Sequence, residues 1–180
     1  MTIGFNHLGR HGRLGNQMFQ YAGLRGIAAH RGFDFMIPDS DFKDEWTDHQ
    51  LFEAFKLKGL TNIGMCPGTY VGEAHFHYDA NLFNNMPDNH NVYAYLQSTK
   101  YFEHIEDDIR EDFEFKNEIR VPCEDMIATV SDPIALHVRR GDYIQNCDNH
   151  PPCPKEYYDA ALSKFDAKRN VIIFSDDPEW

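Results

Sequence analysis

The sequence has no long apolar run. Its longest clear one, Val171 to Phe174, falls far short of the roughly 20 residues needed to cross a bilayer. The opening M-T-I-G-F-N-H-L-G-R lacks a basic segment followed by an apolar core, so it does not read as a signal peptide. A soluble, cytoplasmic protein is expected, with peripheral attachment to a membrane surface left open. Cysteine is sparse: Cys66, Cys123, Cys147 and Cys153 lack the dense spacing of a secreted disulfide scaffold, and reduced thiols are expected. Cys147, His150 and Cys153 share one short loop, yet without C-x-x-C spacing or an evident fourth ligand they do not make a zinc site. A disulfide across that loop is the alternative. Positive charge is scarce too. Seventeen Lys and Arg stand against 29 Asp and Glu, a net charge of −12 that repels phosphate backbones and excludes a general nucleic-acid binder. No G-x-S-x-G or G-x-x-x-x-G-K-[ST] occurs, which removes the signatures of serine hydrolases and P-loop proteins. Internal repeats and low-complexity tracts are absent as well.

What is present describes a globular chain. At 180 residues it holds one domain with a full core, or one domain and the beginning of a second. Hydrophobic residues at 42% and charged residues at 26% exclude disorder and fibres. The 14% aromatic share suits both dense cores and sugar-contacting surfaces. Arginines cluster at Arg10/Arg13 and at Arg139/Arg140, and a locally positive pocket in an acidic protein suits an anionic small molecule.

Along the chain, residues 3–8 read as a strand, Gly9 to Gly15 as a glycine-punctuated turn, and 17–30 as a helix. The glycine spacing is G-x-x-G-x-x-G, which is not the dinucleotide fingerprint. Two readings stay open for it: a ligand-approaching loop at a helix start, or only a tight turn. A strand follows at 33–37, loop and short helix at 39–55, irregular strands and turns at 57–78, and a polar turn-rich stretch at 81–91. A buried strand is expected at 92–96 and an acidic amphipathic helix at 101–113. Val121-Pro122 and Ser131-Asp132-Pro133 bracket a short helix; strands at 134–138 and 171–174 enclose a helix at 157–165. Such alternation predicts an α/β fold with a mainly parallel sheet, whose ligands sit beyond the carboxyl ends of the strands. The expected domains are 1–130, an N-terminal α/β domain, and 131–180, the beginning of a second. Two strands cannot bury both faces of a sheet. The second domain is therefore expected to be truncated, to borrow cover from the first, or to be covered in a homo-oligomer.

The chemistry gathers at strand ends. In His137-Val-Arg139-Arg140-Gly141-Asp142-Tyr143 the arginines offer planar, permanently charged forks that match a diphosphate, and Asp142 can orient one of them. A surface Arg–Asp salt bridge is the plainer alternative, and an R-G-D adhesion role is disfavoured by the preceding apolar strand. Ser175, Asp176 and Asp177 leave the end of the last strand, placed to meet a ligand or an arginine, or to cap a helix. Asp39-Ser40-Asp41 has the D-x-D form that can bridge a divalent metal to phosphates, though in an acidic chain a loop or capping role competes with it. His75 and His77 share a face if extended; a polar strand edge explains them as well as acid–base or metal chemistry does.

Five blocks together carry a resemblance: G-R-L-G-N-Q-M-F-Q-Y-A from Gly12, H-Y-D-A-N-L-F from His77, Y-L-Q-S-T-K-Y-F from Tyr95, H-V-R-R-G-D-Y from His137 and F-S-D-D-P-E-W from Phe174. In order and spacing the chain resembles the α-1,2-fucosyltransferases of glycosyltransferase family 11. The resemblance implies a two-domain GT-B-like architecture, GDP-fucose as donor and a galactose-containing glycan as acceptor. Fucose would go to a galactose 2-hydroxyl with inversion, with no metal and no cofactor besides the donor. It assigns Arg139, helped by Arg140, to the GDP diphosphate, with His137 and Asp142 fixing the loop and Ser175 and Asp176 beside the donor. Gly15, Asn16 and Gln17 would lie near the cleft. It names no catalytic base. Family members continue past the point matching Trp180 through an S-x-F-S-W-W-G-like segment, which neither Trp46 nor Trp180 replaces, so truncation is expected. A non-catalytic nucleotide- or sugar-binding remnant is the alternative function.

Overall fold

The computed structural model describes residues 1–42 and 47–180; Trp46 and part of the acidic 39–55 segment lie outside them. The chain forms two compact units, Met1–Ile119 and Arg120–Trp180.

The first unit is built on five short parallel strands: β1 (Thr2–Gly4), β2 (Asp34–Ile37), β3 (Asn62–Ile63), β4 (Tyr70–Gly72) and β5 (Asn91–Tyr93). Their order is β3-β2-β1-β5-β4. The chain steps outward from β1 to β3, crosses to the far edge at β4 and returns to β5 beside β1. The direction of winding therefore reverses between β1 and β5, which is where open α/β sheets leave a crevice.

Between β1 and β2 runs the long helix α1 (Leu14–Arg31), which starts three residues before the predicted helix and stops where Gly32 turns left-handed at φ 67°. Its buried side presents Tyr21, Leu24 and Ile27 to the sheet residues Ile3, Ile37 and Val92 in one core. Gly26 lets the chain at Tyr101 pass against the helix: a Cβ there would lie 2.0 Å from the Tyr101 carbonyl oxygen.

β1 is shorter than the predicted 3–8. Beyond Phe5 the ladder is replaced by a side chain, because Asn6 donates to the Cys66 carbonyl (2.8 Å) and accepts from the Cys66 N–H (2.9 Å), and the chain then turns back with Arg10 N–H on the His7 carbonyl. The polar 81–91 stretch begins with a helix, α3 (Ala80–Asn85), after the five-residue α2 (Gln50–Ala54). Asp79 nucleates α3 by accepting from the N–H groups of Asn81 and Leu82, at 2.9 and 3.0 Å. The expected helix at 101–113 is broken: two 3₁₀ turns, Thr99–Tyr101 and Glu103–Ile105, precede α4 (Glu106–Asp112), because Phe102 adopts φ −140°, ψ 2°.

α4 is fastened by its last residue. The Asp112 carboxylate is 1% exposed and accepts from Tyr21 Oη (2.7 Å), the Gly59 N–H (2.6 Å) and the Arg25 guanidinium. One buried anion thus ties α1, α4 and the loop before β3. Burial and the neighbouring carboxylate push the Tyr21 phenol far up, so it remains a donor at any working pH.

The second unit contains α5 (Asn117–Ala128, which begins in the first unit), β6 (Ile134–Val138), α6 (Gly141–Gln145), α7 (Lys155–Leu162) and β7 (Val171–Ser175). Pro122 lies inside α5 and does not delimit it. Its missing N–H leaves the Glu118 carbonyl without its i→i+4 donor, a loss of one intrahelical bond near the start of the helix. β6 and β7 pair in parallel over their full length, Ile134 with Val171 through Val138 with Ser175. Ile134, Val138 and Tyr158 are buried, whereas Ile173 and Phe174 remain 63% and 50% exposed. Among the described residues no helix is long and apolar enough to cross a membrane.

Asp112→Ala is expected to destabilise the first unit by about 3 kcal/mol, since it leaves the buried Tyr21 hydroxyl and the Gly59 N–H without an acceptor and Arg25 with only Asp108, whose carboxylate stands at 3.4 Å. Glu124→Ala, which breaks the exposed Arg120–Glu124 pair, is expected to cost less than about 1 kcal/mol. Urea unfolding of the two variants measures the difference.

Candidate functional site

The arginine block sits where β6 ends. Because Val138 pairs with Ser175, the next residues on each strand, Arg139-Arg140 and Asp176-Asp177, leave the sheet side by side at its carboxyl edge. Two carboxylates and two guanidiniums are thereby brought together from positions about 37 residues apart in sequence.

Each group has a defined partner. The Arg139 fork closes on Asp142, Nε to Oδ1 at 3.2 Å and Nη2 to Oδ2 at 2.8 Å, and its guanidinium lies 4.5 Å from the Tyr143 ring centroid. Arg140 donates through its backbone N–H to Asp176 Oδ1 (2.8 Å) and through Nε to Asp177 Oδ2 (3.0 Å). Its guanidinium packs over the Trp180 ring at 4.4 Å. Ser175 Oγ accepts from the Asp177 N–H at 3.0 Å, holding the β7 exit in shape. Asp176 caps α6: the N–H groups of Arg140 and Gly141 keep its carboxyl below the usual carboxylate range. Gly141 leaves room for that contact, since a Cβ there would stand 2.9 Å from Asp176 Oδ2 and push the carboxylate aside. The hydrogen bond to Asp142 raises Arg139 further above an already high value. His137 pairs with Phe174 in the ladder and is exposed on β6.

Beside this edge the second unit has a hollow of about 410 Å³, with Tyr158, Ser175, Asp177, Pro178 and Trp180 in its wall. The sequence-predicted residues Arg139, Arg140, Asp142, Ser175 and Asp176 therefore form one connected polar group. Sequence reasoning placed Asp177 to meet a ligand or an arginine, and it meets Arg140; it gave Tyr143 and Trp180 no part in the group. The available signal was spacing: Tyr143 lies one helical turn after Arg139, and Trp180 closes the same short segment as Asp177.

The N-terminal signature belongs to the first unit. Gly15 is exposed, and Asn16 accepts from Gln97 Nε2 at 2.7 Å. Gln17 is fully buried and donates to the carbonyls of Asp48 (2.7 Å) and Gly12 (3.3 Å), latching the glycine turn to the segment before α2. Asp39 closes its own turn by accepting from the Asp41 N–H (3.0 Å) and from Ser40 Oγ. His75 Nδ1 lies 3.1 Å from the His77 carbonyl. Among the described residues no three His, Cys, Asp or Glu side chains cluster as a metal site would require. Cys147 and Cys153 are exposed and free.

The family model for glycosyl transferase family 11 matches residues 72–180, which include both strands and the whole arginine group. The chain belongs to that family. It is similar to the O-antigen biosynthesis glycosyltransferase WbnK of Escherichia coli, with 27% identity over 124 residues, 62% of this chain and 41% of the other. The chain thus spans about two fifths of that relative's length. It is also similar to the crystal structure of fucosyltransferase NodZ from Bradyrhizobium, with a TM-score of 0.56 and 15% identity, covering 99% of this chain and 73% of that one. At that identity the likeness shows the fold, which is GT-B-like α/β.

The Asp176 cap carries a signed pH dependence. Its carboxyl titrates below the ordinary 3.8 in the folded chain, so the capping contribution is complete above that value and is lost as pH falls through the lowered one. The amide proton shifts of Arg140 and Gly141 are expected to titrate together with a midpoint below 3.8. In Gly141→Ala the displaced carboxylate is expected to raise that midpoint, and two-dimensional NMR follows both.

Proposed function

We propose that this protein serves transfer of L-fucose from GDP-fucose to the 2-hydroxyl of a galactose in a glycan, with inversion at the transferred carbon. The observation that carries the reading is the pair Arg139 and Arg140 at the carboxyl edge of two parallel strands, held by the exposed Asp142, the half-buried Asp177 and aromatic rings. Family membership supports sugar transfer. The fold shared with a fucosyltransferase supports the choice of fucose, and the arginine chemistry supports a diphosphate leaving group.

The groups act as follows in this reading. The acceptor oxygen forms its bond to the fucose anomeric carbon as the bond from that carbon to the β-phosphate oxygen breaks, and the electron pair departs with GDP. The negative charge that accumulates on the diphosphate is met by the Arg139 fork, which exchanges its exposed Asp142 partner for phosphate oxygens. Asp142 is 53% exposed and water can solvate it once released, so the exchange costs little. Arg140 stays anchored to Asp177 and Trp180 and supplies fixed positive charge. His137, Ser175 and Asp176 shape the loop and the strand exit. The acceptor hydroxyl proton goes to a base that the described residues do not single out. The guanidinium pair supplies the neutralising charge, so the reading needs no metal and no cofactor beyond the donor.

Calorimetric titration with GDP in the presence of EDTA tests this reading. Arg139→Ala is expected to weaken GDP by about 10- to 100-fold, the loss of a charge-assisted bidentate contact, and Arg139→Lys is expected to recover only part of it. Equal affinity in wild type and Arg139→Ala would refute the assignment, and binding that appears only when Mn²⁺ replaces EDTA would refute the metal-free part.

A further inference from the structure

At the reversal point of the first unit's sheet lies a hollow of about 370 Å³ walled by His11, Gly72, Glu73, His75, Phe76, Tyr93 and Tyr95. It is made by the segments that leave the carboxyl ends of β1, β4 and β5, the position at which open α/β sheets bind ligands.

The wall is unusually aromatic for an open surface. Tyr93 and Phe76 are 48% and 75% exposed, although apolar ring area is costly to leave in water. The rings are nevertheless fixed. Edge-to-face contacts run from His11 to Tyr93 (4.9 Å) and to Tyr95 (6.4 Å), and Phe76 meets Tyr95 at 6.0 Å. Glu73 fixes the β5 exit, accepting from the Tyr95 and Leu96 N–H groups (3.0 and 3.2 Å) and from Tyr101 Oη (3.0 Å). Gly72 keeps the floor open: opposite Tyr93 in the ladder, its missing side chain would meet only the Tyr93 carbonyl oxygen, at 3.2 Å.

The chemistry selects a class of occupant. Among the described residues no lysine or arginine lines the hollow. Burial and the nearby Arg10 charge lower the His11 value, so its ring is neutral at working pH, and its Nε2 is buried without a hydrogen-bond partner. An anionic nucleotide finds no cation in the wall itself, since Arg10 acts on His11 from outside it. A pyranose offers an apolar C–H face for the rings and a rim of hydroxyls for polar groups such as Glu73 and His75. We infer that this hollow is a seat for a neutral pyranose of the acceptor glycan, stacked on Tyr93 and Phe76 over the Gly72 floor. The inference rests on the transfer function proposed above and names the acceptor side of it.

Saturation-transfer NMR on the full chain, with methyl β-galactopyranoside as probe and no donor, tests the seat. Wild type is expected to show transfer to the sugar's ring protons. Phe76→Ser and Tyr93→Ala should each weaken binding about tenfold, and Gly72→Val, which fills the floor, should abolish it. Phe76 is exposed enough that its loss does not threaten folding, and the amide spectrum checks the other two variants. A GDP titration on the same samples separates the two claims: unchanged GDP affinity in all three variants with sugar binding lost supports the seat. Sugar binding that survives both Gly72→Val and Phe76→Ser, or no sugar binding by wild type that binds GDP, overturns the seat while leaving the donor reading intact. Failure of wild type to bind GDP, with sugar bound and lost as expected, overturns the donor reading and leaves a neutral-sugar site.

Discussion

Val138 and Ser175 are the last paired residues of two parallel strands, and the geometry of the arginine group follows from that register. A shift by one residue would turn Val138 outward and its neighbours inward, separating Arg140 from both Asp176 and Asp177. The register is held by the apolar strand residues and by the carboxylates themselves. Asp176 takes the backbone N–H groups at the start of α6, and Asp177 takes the Arg140 side chain. Strand pairing, helix capping and charge placement are three consequences of one alignment.

The two units use acidic residues in opposite ways, and exposure decides which way. Asp112, at 1% exposure with three donors, belongs to the scaffold: removing it leaves buried donors without an acceptor, and no ligand can reach it. Asp142 pairs with its arginine in a similar fork but is 53% exposed. Its pairing is worth little against water and can be exchanged for a stronger anion. The same Arg–carboxylate chemistry makes a fastener in one place and, in the proposed reading, a prearranged anion receptor in the other. In that reading the Tyr143 ring keeps the Arg139 guanidinium in place when Asp142 lets go, and Trp180 backs Arg140, which stays on Asp177.

The alternating strands and helices were legible from hydrophobic runs and their periods, and the strands at 134–138 and 171–174 appear almost where the runs place them. Strand ends were less legible where a side chain replaces the ladder, as Asn6 does with Cys66. A helix was missed where its nucleus is a capping carboxylate inside a polar stretch, as with Asp79 and α3. The arginine motif suggested an anion site from its residue types, and the structure shows its carboxylate and aromatic partners; the contacts with Asp177 and Trp180 depend on a strand pairing that no local pattern reveals. Gln17, part of the glycine signature, proved to be buried and bound to the carbonyls of Gly12 and Asp48. Motif membership alone does not separate a latch of this kind from a ligand contact. The aromatic hollow was invisible in sequence because Gly72, Phe76 and Tyr93 meet only when β4 pairs with β5.

The central claim is that the Arg139 fork is the seat of the donor diphosphate, and a crystal structure of the chain with GDP tests it most directly. The account predicts phosphate oxygens within hydrogen-bond distance of Arg139 Nε and Nη2, with Asp142 released to solvent and Arg140 still paired with Asp177. GDP bound elsewhere, with the Arg139–Asp142 fork closed as it is now, would contradict it.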